Sequence, residues 1–209
     1  MADSLFADVT GVAGPSQVAD GAPARLRLGA WRELIVSHGR GKYAERVRRG
    51  NCYAAITAAT GVSIASLTIT TTGQLTVHNP FGSNKILSFF RGTFGMVSGT
   101  PGIGNLVYAT SPGITATNAT GTIAVPKNLL TGLPNSSVAL PLTTSTITTP
   151  TVVRNLYCLA AASPNAAVND DIDDEIQLLP GTGLTITGTT AAGSTPIAVF
   201  SLSWEEIQM

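Results

Sequence analysis

The chain reads as an all-β, two-sheet sandwich behind an extended N-terminal arm, and three observations carry that prediction. First, from residue 51 to residue 209 apolar residues fall in short alternating runs, separated by Gly, Pro, Asn and Ser clusters. Half-buried strands and their turns are written this way. Second, no run approaches the roughly 20 apolar residues that a membrane-spanning helix needs, and no fixed-period repeat marks a solenoid or a propeller. Third, charge is scarce and lopsided. Charged residues make up 11% of the 209, against roughly 25% in an average soluble domain. Eight of the twelve Lys and Arg residues lie between Arg25 and Arg49. No acid occurs between Glu45 and Asp170, where Asp170, Asp171, Asp173, Asp174 and Glu175 cluster.

Met1 to Pro23 is small, polar and broken by Gly and Pro, with little to bury, so an extended arm is expected there. Ala24-Arg25-Leu26-Arg27-Leu28 alternates strictly, and Gly29 to Arg32 could turn it back into Glu33 to Ser37 as a hairpin. His38 to Asn51 is the one helical patch: Tyr43, Ala44 and Val47 share a face, and Gly50 ends it after about two turns.

From Asn51 onward the expectation is strands. They are placed over Cys52 to Thr60, Ser66 to Thr72, Gln74 to His78, Lys85 to Val97, Ile103 to Thr110 and Val152 to Ala162. Ile176 to Leu179, Leu184 to Thr187 and Ile197 to Ile207 follow. Asn79 to Asn84 is a turn cluster. Ser111 to Pro150, rich in Thr, Gly and Pro, reads as long loops with short strands, and Asp170 to Glu175 as an exposed acidic loop. In the last strand Phe200, Leu202, Trp204 and Glu206 take one face, and Val199, Ser201, Ser203 and Glu205 the other. Division into residues 1–50 and 51–209 follows.

Little in the sequence suggests chemistry. Cys52 and Cys158 sit in apolar runs and read as buried free thiols, with a disulfide between them left open. No Cys/His spacing matches a zinc site. The acidic run lacks the glycine and distal glutamate of an EF-hand loop. It reads as a solvated loop, a calcium site through carboxylates, or the landing place of a neighbour's basic arm. Neither His38 nor His78 has a triad-like context, and Glu205 and Glu206, being adjacent on a strand, cannot act as a pair. Gly99 to Gly104 lies between two strands with no helix or Lys after it, so it is a turn, not a phosphate loop. No cofactor, metal or small-molecule substrate is expected, and no membrane. The N-terminus has no basic n-region and no apolar h-region, so folding in the cytoplasm is expected.

Two features point to docking. The basic stretch Arg25 to Arg49 would meet an acidic protein surface, steering and setting register. Phosphate contact is the rival reading, weakened by having only Trp31 and Tyr43 for stacking. A solvated helix face with internal pairs such as Lys42/Glu45 is the plain alternative. In the Lys85 to Val97 strand, Phe90 and Phe94 share parity and Phe89 points the other way. That pattern fits a central core strand, and equally a strand with one face in the sandwich and one on a sister subunit.

Several segments together resemble a family of virion proteins from tailed double-stranded-DNA phages. They are Arg27-Leu28-Gly29 with Glu33 to Ser37, Gly41-Lys42-Tyr43 with Arg48 to Asn51, and His78 to Ser83. Gly95 to Thr100, Leu179 to Thr182 and Ser201 to Glu206 complete the set. None is a catalytic signature. The resemblance implies a jelly-roll-like β-sandwich acting as a capsid cement, or decoration, protein on the outer head surface. The implied partners are the major capsid protein and two further copies in a homotrimer. On that reading Arg25, Arg27, Arg46, Arg48 and Arg49 dock on the capsid, and Phe89, Phe90, Phe94 and Trp204 form the trimer interface. Two other classes stand beside it: a tail-fibre or receptor-binding module recognising host glycan, for which Tyr108, Tyr157 and Trp204 are few as an aromatic platform, and a cell-surface hydrolase, for which the sequence offers no acid pair or triad.

Overall fold

The computed structural model describes residues 42–64, 72–112, 120–147, 149–160, 167–190 and 194–209. It divides into Met1–Ala44 and Glu45–Met209. Of the first unit only residues 42–44 are described, with the Lys42 ammonium 5.2 Å from the centre of the Tyr43 ring. The expected arm, the 24–37 hairpin, Arg25 and Arg27 lie outside the described residues, as does most of the expected strand at Ser66 to Thr72.

The predicted helix is short: α1 spans Ala44–Arg48. It stops as expected, because Gly50 has φ +76° and its amide bonds the Val47 carbonyl at 3.0 Å. The strands that follow are β1 (Cys52–Ile56), β2 (Val62–Ser63), β3 (Thr72–Asn79), β4 (Lys85–Thr100), β5 (Gly104–Pro112) and β6 (Thr122–Ile123). After them come β7 (Lys127–Asn128), β8 (Leu140–Thr146), β9 (Thr151–Leu159), β10 (Ala167–Leu178), β11 (Thr182–Thr190) and β12 (Ser194–Gln208). All pair antiparallel in two sheets. One runs β10-β4-β12-β1-β7, with β2 also on β12; the other runs β6-β8-β3-β11-β5-β9. The sheets pack together as an all-β sandwich. Their shared core holds Leu75, Val77, Leu106, Tyr108, Leu184 and Ile186 from one sheet, and Leu87, Phe89, Phe94, Phe200, Leu202 and Trp204 from the other.

The spine of the first sheet is β4 on β12, and its register corrects the parity reading. Ser203 pairs Arg91 and Trp204 pairs Phe89, so Phe90 is one residue too many. A bulge of this kind turns the side-chain alternation over. Leu87 and Phe89 before it, and Phe94 after it, therefore all join the core. Across the other edge of β4 the excess is larger. Asp171 pairs Arg91 and Ile176 pairs Phe89, leaving residues 172–175 opposite Phe90. Asp173 (φ +54°) and Asp174 (φ +69°) sit in the left-handed region, which Asp tolerates better than most side chains. What reads as a free acidic loop is thus a bulged part of β10.

Four aromatic pairs knit the core: Tyr53–Trp204 at 6.3 Å between ring centres, Phe89–Trp204 at 6.1 Å, Phe94–Phe200 at 5.5 Å and Phe94–Tyr157 at 6.0 Å. The trimer-interface expectation fails on this packing. Phe89, Phe90, Phe94 and Trp204 are at most 3% exposed, so their area is already removed from water inside one chain. The cysteines also differ from expectation. Both are free and Cys52 is buried, but Cys158 is exposed on β9.

Tyr108 of β5 crosses from one sheet to the other. Its hydroxyl donates to Asp170 on β10 at 3.1 Å, and it passes directly over Gly92 of β4, where a Cβ would fall on the hydroxyl oxygen. Gly92→Ala is expected to destabilise the fold by about 1–3 kcal/mol through overpacking. Adding Tyr108→Phe should return part of that loss. Urea unfolding of the two single variants and the double variant checks this; strictly additive losses would show that the two positions do not touch.

Candidate functional site

Charged side chains gather where the acidic part of β10 meets arginines. Arg154, on β9, reaches across to β10 and bonds Asp170 at 2.8 Å and Glu175 at 2.7 Å. Asp170 also accepts the Tyr108 hydroxyl. Arg91 of β4 lies 3.3 Å from Asp171. Arg46 of α1 donates to Asp174 at 2.7 Å, and the pair is two-pronged, through Nη2 and Oδ2 as well. Asp174 further accepts the Ser88 hydroxyl at 2.7 Å, and Arg46 approaches Glu205 at 3.7 Å.

These pairings follow from the bulge. Without the three additional residues, Asp174 and Glu175 would not stand clear of the sheet to meet Arg46 and Arg154. The hydrogen bond to Asp174 raises the pKa of the Arg46 guanidinium, burial opposes it, and the charges of Asp174 and Glu205 add to the rise. Arg46 therefore stays charged and engaged within its own chain, and so it is not a spare docking charge. Arg48 and Arg49 are exposed beside it. Of the basic stretch expected to meet a neighbour's acidic run, Arg46 instead pairs with Asp174 of its own chain, and Arg91 and Arg154, from outside that stretch, take up Asp171, Asp170 and Glu175. Among the described residues no group of three or more His, Cys, Asp or Glu side chains is arranged to hold a metal ion.

The carboxylates of β12 are used as braces. Glu206 is 3% exposed. It accepts Lys85 Nζ at 2.7 Å, Ser137 Oγ at 2.6 Å and the Val138 amide at 2.8 Å, which ties the 129–139 segment to the sheet. Glu205 accepts from Asn51 Nδ2 at 3.2 Å. The two acids lie on opposite faces, as the alternation predicts. Cys52 is inert: burial, with the charge of Glu205, pushes its thiol up to about 12. Burial, followed by Asp170, raises the pKa of Tyr108.

The structure does bring a Ser and a His together, which the sequence did not reveal because they are 67 positions apart. His78 Nε2 lies 3.0 Å from Ser145 Oγ. Both side chains are fully buried, and His78 Nδ1 has no hydrogen-bond partner. No substrate can reach such a hydroxyl, and nothing orients the ring from behind as a triad requires. The pair belongs to a buried polar layer with Thr76 and Thr185, whose hydroxyls bond at 2.9 Å.

No protein-family model matches the chain, and no curated protein matches it.

Burial lowers the pKa of His78 to about 4, against about 6.5 in an unfolded chain. The folded state therefore resists protonation. The stability this contributes is complete above pH 6.5 and is lost as pH falls through 4, about 3 kcal/mol in all. His78→Gln, which cannot charge, is expected to flatten the fall in urea-unfolding stability between pH 6.5 and 4. An unchanged pH profile would contradict the assignment.

Proposed function

We propose that the chain is a capsid cement protein of a tailed phage, made in the host cytoplasm and assembled on the outside of the head as a homotrimer. Its partner is the major capsid protein, and its work is to hold capsomers together. The observation that carries this reading is exposed apolar area on a chain without net charge. Ile56, Phe81, Ile103, Ile123, Val125 and Leu179 are each more than half exposed, and the formal net charge is zero. Singly such residues are ordinary. Together, on a neutral chain, they leave a lone subunit little protection from association.

The internal pairing of the acidic run strengthens the reading, because charge that neutralises its own chain is not arranged for catalysis or cation binding. Arg48 and Arg49 stand exposed at the end of α1, where they would orient the protein on an acidic surface; Arg25 and Arg27 are proposed to act with them. A jelly-roll arrangement is supported by the chain's passage between sheets from β3 to β4, β4 to β5, β9 to β10, β10 to β11 and β11 to β12. The glycan-binding alternative loses its platform. Tyr108 and Trp204 are fully buried, and Tyr157 is half-buried against Phe94.

Copy number decides between head and tail. Quantitative mass spectrometry of purified virions is expected to find hundreds of copies per particle, as a lattice requires. A few to tens of copies, or none, would overturn the cement role.

A further inference from the structure

The helix α1 is too short to stand alone. It has five residues, and isolated helices shorter than about 12–15 residues are marginal in water. Such a helix persists only when something else holds it. The core does not hold this one. Among the described residues, no side chain of α1 belongs to the core or to the apolar residues packed against it. Ala44, Arg46 and Val47 are half-buried, and Arg48 and Arg49 are exposed.

Two attachments hold it among the described residues. The root is at its C-terminal end. There the Gly50 carbonyl accepts Asn128 Nδ2 at 2.7 Å, and the Asn51 carbonyl accepts the Glu206 amide at 2.9 Å. One turn earlier Arg46 is the latch. Its two-pronged grip on Asp174 enters a socket built by three strands. Asp174 comes from the β10 bulge, and the Ser88 hydroxyl of β4 fixes it at 2.7 Å. Glu205 of β12, which pairs Ser88 in the ladder, stands 3.7 Å from Arg46 Nε. The root is neutral, whereas the latch is a pair of opposite charges. Charge-assisted bonds are strong, but salt screens them where water reaches. The Arg46 side chain is 32% exposed.

We propose that α1 is a charge-held strap, closed on the β10 bulge through Arg46 and swinging out about Gly50 when ionic competition takes Arg46 from Asp174. Gly50, at φ +76°, is a pivot that adapts to a new backbone angle at little steric cost. The device depends on the bulge, because a regular β10 would offer Arg46 no socket. Closed, the segment exposes Arg48 and Arg49; open, it exposes Arg46 with them. An acidic surface therefore meets more positive charge on the open form than on the closed one. A ligand shifts an equilibrium by such a difference in affinity, so contact with an acidic surface and opening favour each other. The strap does not rest on the cement role, since salt alone suffices to open it.

Trypsin tests it on the full chain, because cleavage after Arg48 and Arg49 reads the population in which the local backbone has come away from the fold. Asp174→Asn removes the charge and keeps a side chain suited to the left-handed backbone there, φ +69°. It is expected to speed cleavage at both sites about tenfold, the low end for losing a hydrogen bond to a charged group. Arg46→Gln is expected to do the same. Arg154→Gln, which breaks the pairs to Asp170 and Glu175 instead, should leave the rate unchanged. Near-UV circular dichroism verifies folding, and Arg46→Gln carries the test if Asp174→Asn unfolds. Salt supplies a second measurement. The Arg49 and Gly50 amides bond the Arg46 and Val47 carbonyls at 3.2 and 3.0 Å. Their hydrogen exchange is expected to quicken in about 1 M sodium chloride in wild type and to stay constant in Asp174→Asn. Folded variants cut at the wild-type rate, or salt that quickens wild type and Asp174→Asn alike, would overturn the proposal.

Discussion

Most of this structure depends on one irregular residue. Phe90 is the additional position in the β4–β12 ladder, and opposite it β10 carries four residues, three more than a regular ladder would. Because side chains alternate along a strand, an unbroken β4 would send either Phe89 or Phe94 to the outside. The bulge lets both face inward, where Phe89 meets Trp204 and Phe94 meets Phe200. The same irregularity lifts residues 172–175 out of the ladder and delivers Asp174 to Arg46 and Ser88. Core packing and charge pairing thus share a cause.

That sharing limits what the charges can do. Asp170, Asp171, Asp174 and Glu175 are matched by Arg154, Arg91 and Arg46 at sites that are mostly half-buried. Partly exposed pairs of this sort contribute modestly to stability, around 0–1 kcal/mol each. Their larger effect is on the surface, where they remove the acidic pole as a docking feature. Apolar area and hydroxyls remain, which suits a protein that packs against others. The edges fit the same picture. β9 carries register shifts on both sides of Arg154, and β10 carries the long bulge. Irregular, charged edges resist uncontrolled strand addition.

Strands were legible where the pattern is local. The inward set of β12, Phe200, Leu202, Trp204 and Glu206, follows from alternation alone, and Gly50 ends its helix as a glycine in that place should. The Asn79 to Asn84 turn is equally local. What misled were features settled by pairing across distance. The inward turn of both Phe89 and Phe94 depends on register against Trp204, more than a hundred positions away. The acidic run reads as a loop because five acids in six residues suit solvent, yet three arginines from α1, β4 and β9 make it a strand. Cys158 sits in an apolar run, but β9 is an edge strand and the thiol faces out. His78 and Ser145 lie on β3 and β8, 67 positions apart in sequence, and meet only in the folded chain.

The bulge at Phe90 can be tested most directly by ring-proton contacts in solution. Nuclear Overhauser spectra of the protein should show Phe89 against the Trp204 indole and, in the same sample, Phe94 against Phe200, whose ring centres lie 6.1 and 5.5 Å apart. Both contacts together require the alternation to turn over between the two rings. Finding one pair without the other, with the missing phenylalanine in contact with solvent, would mean that β4 runs straight and would contradict the account.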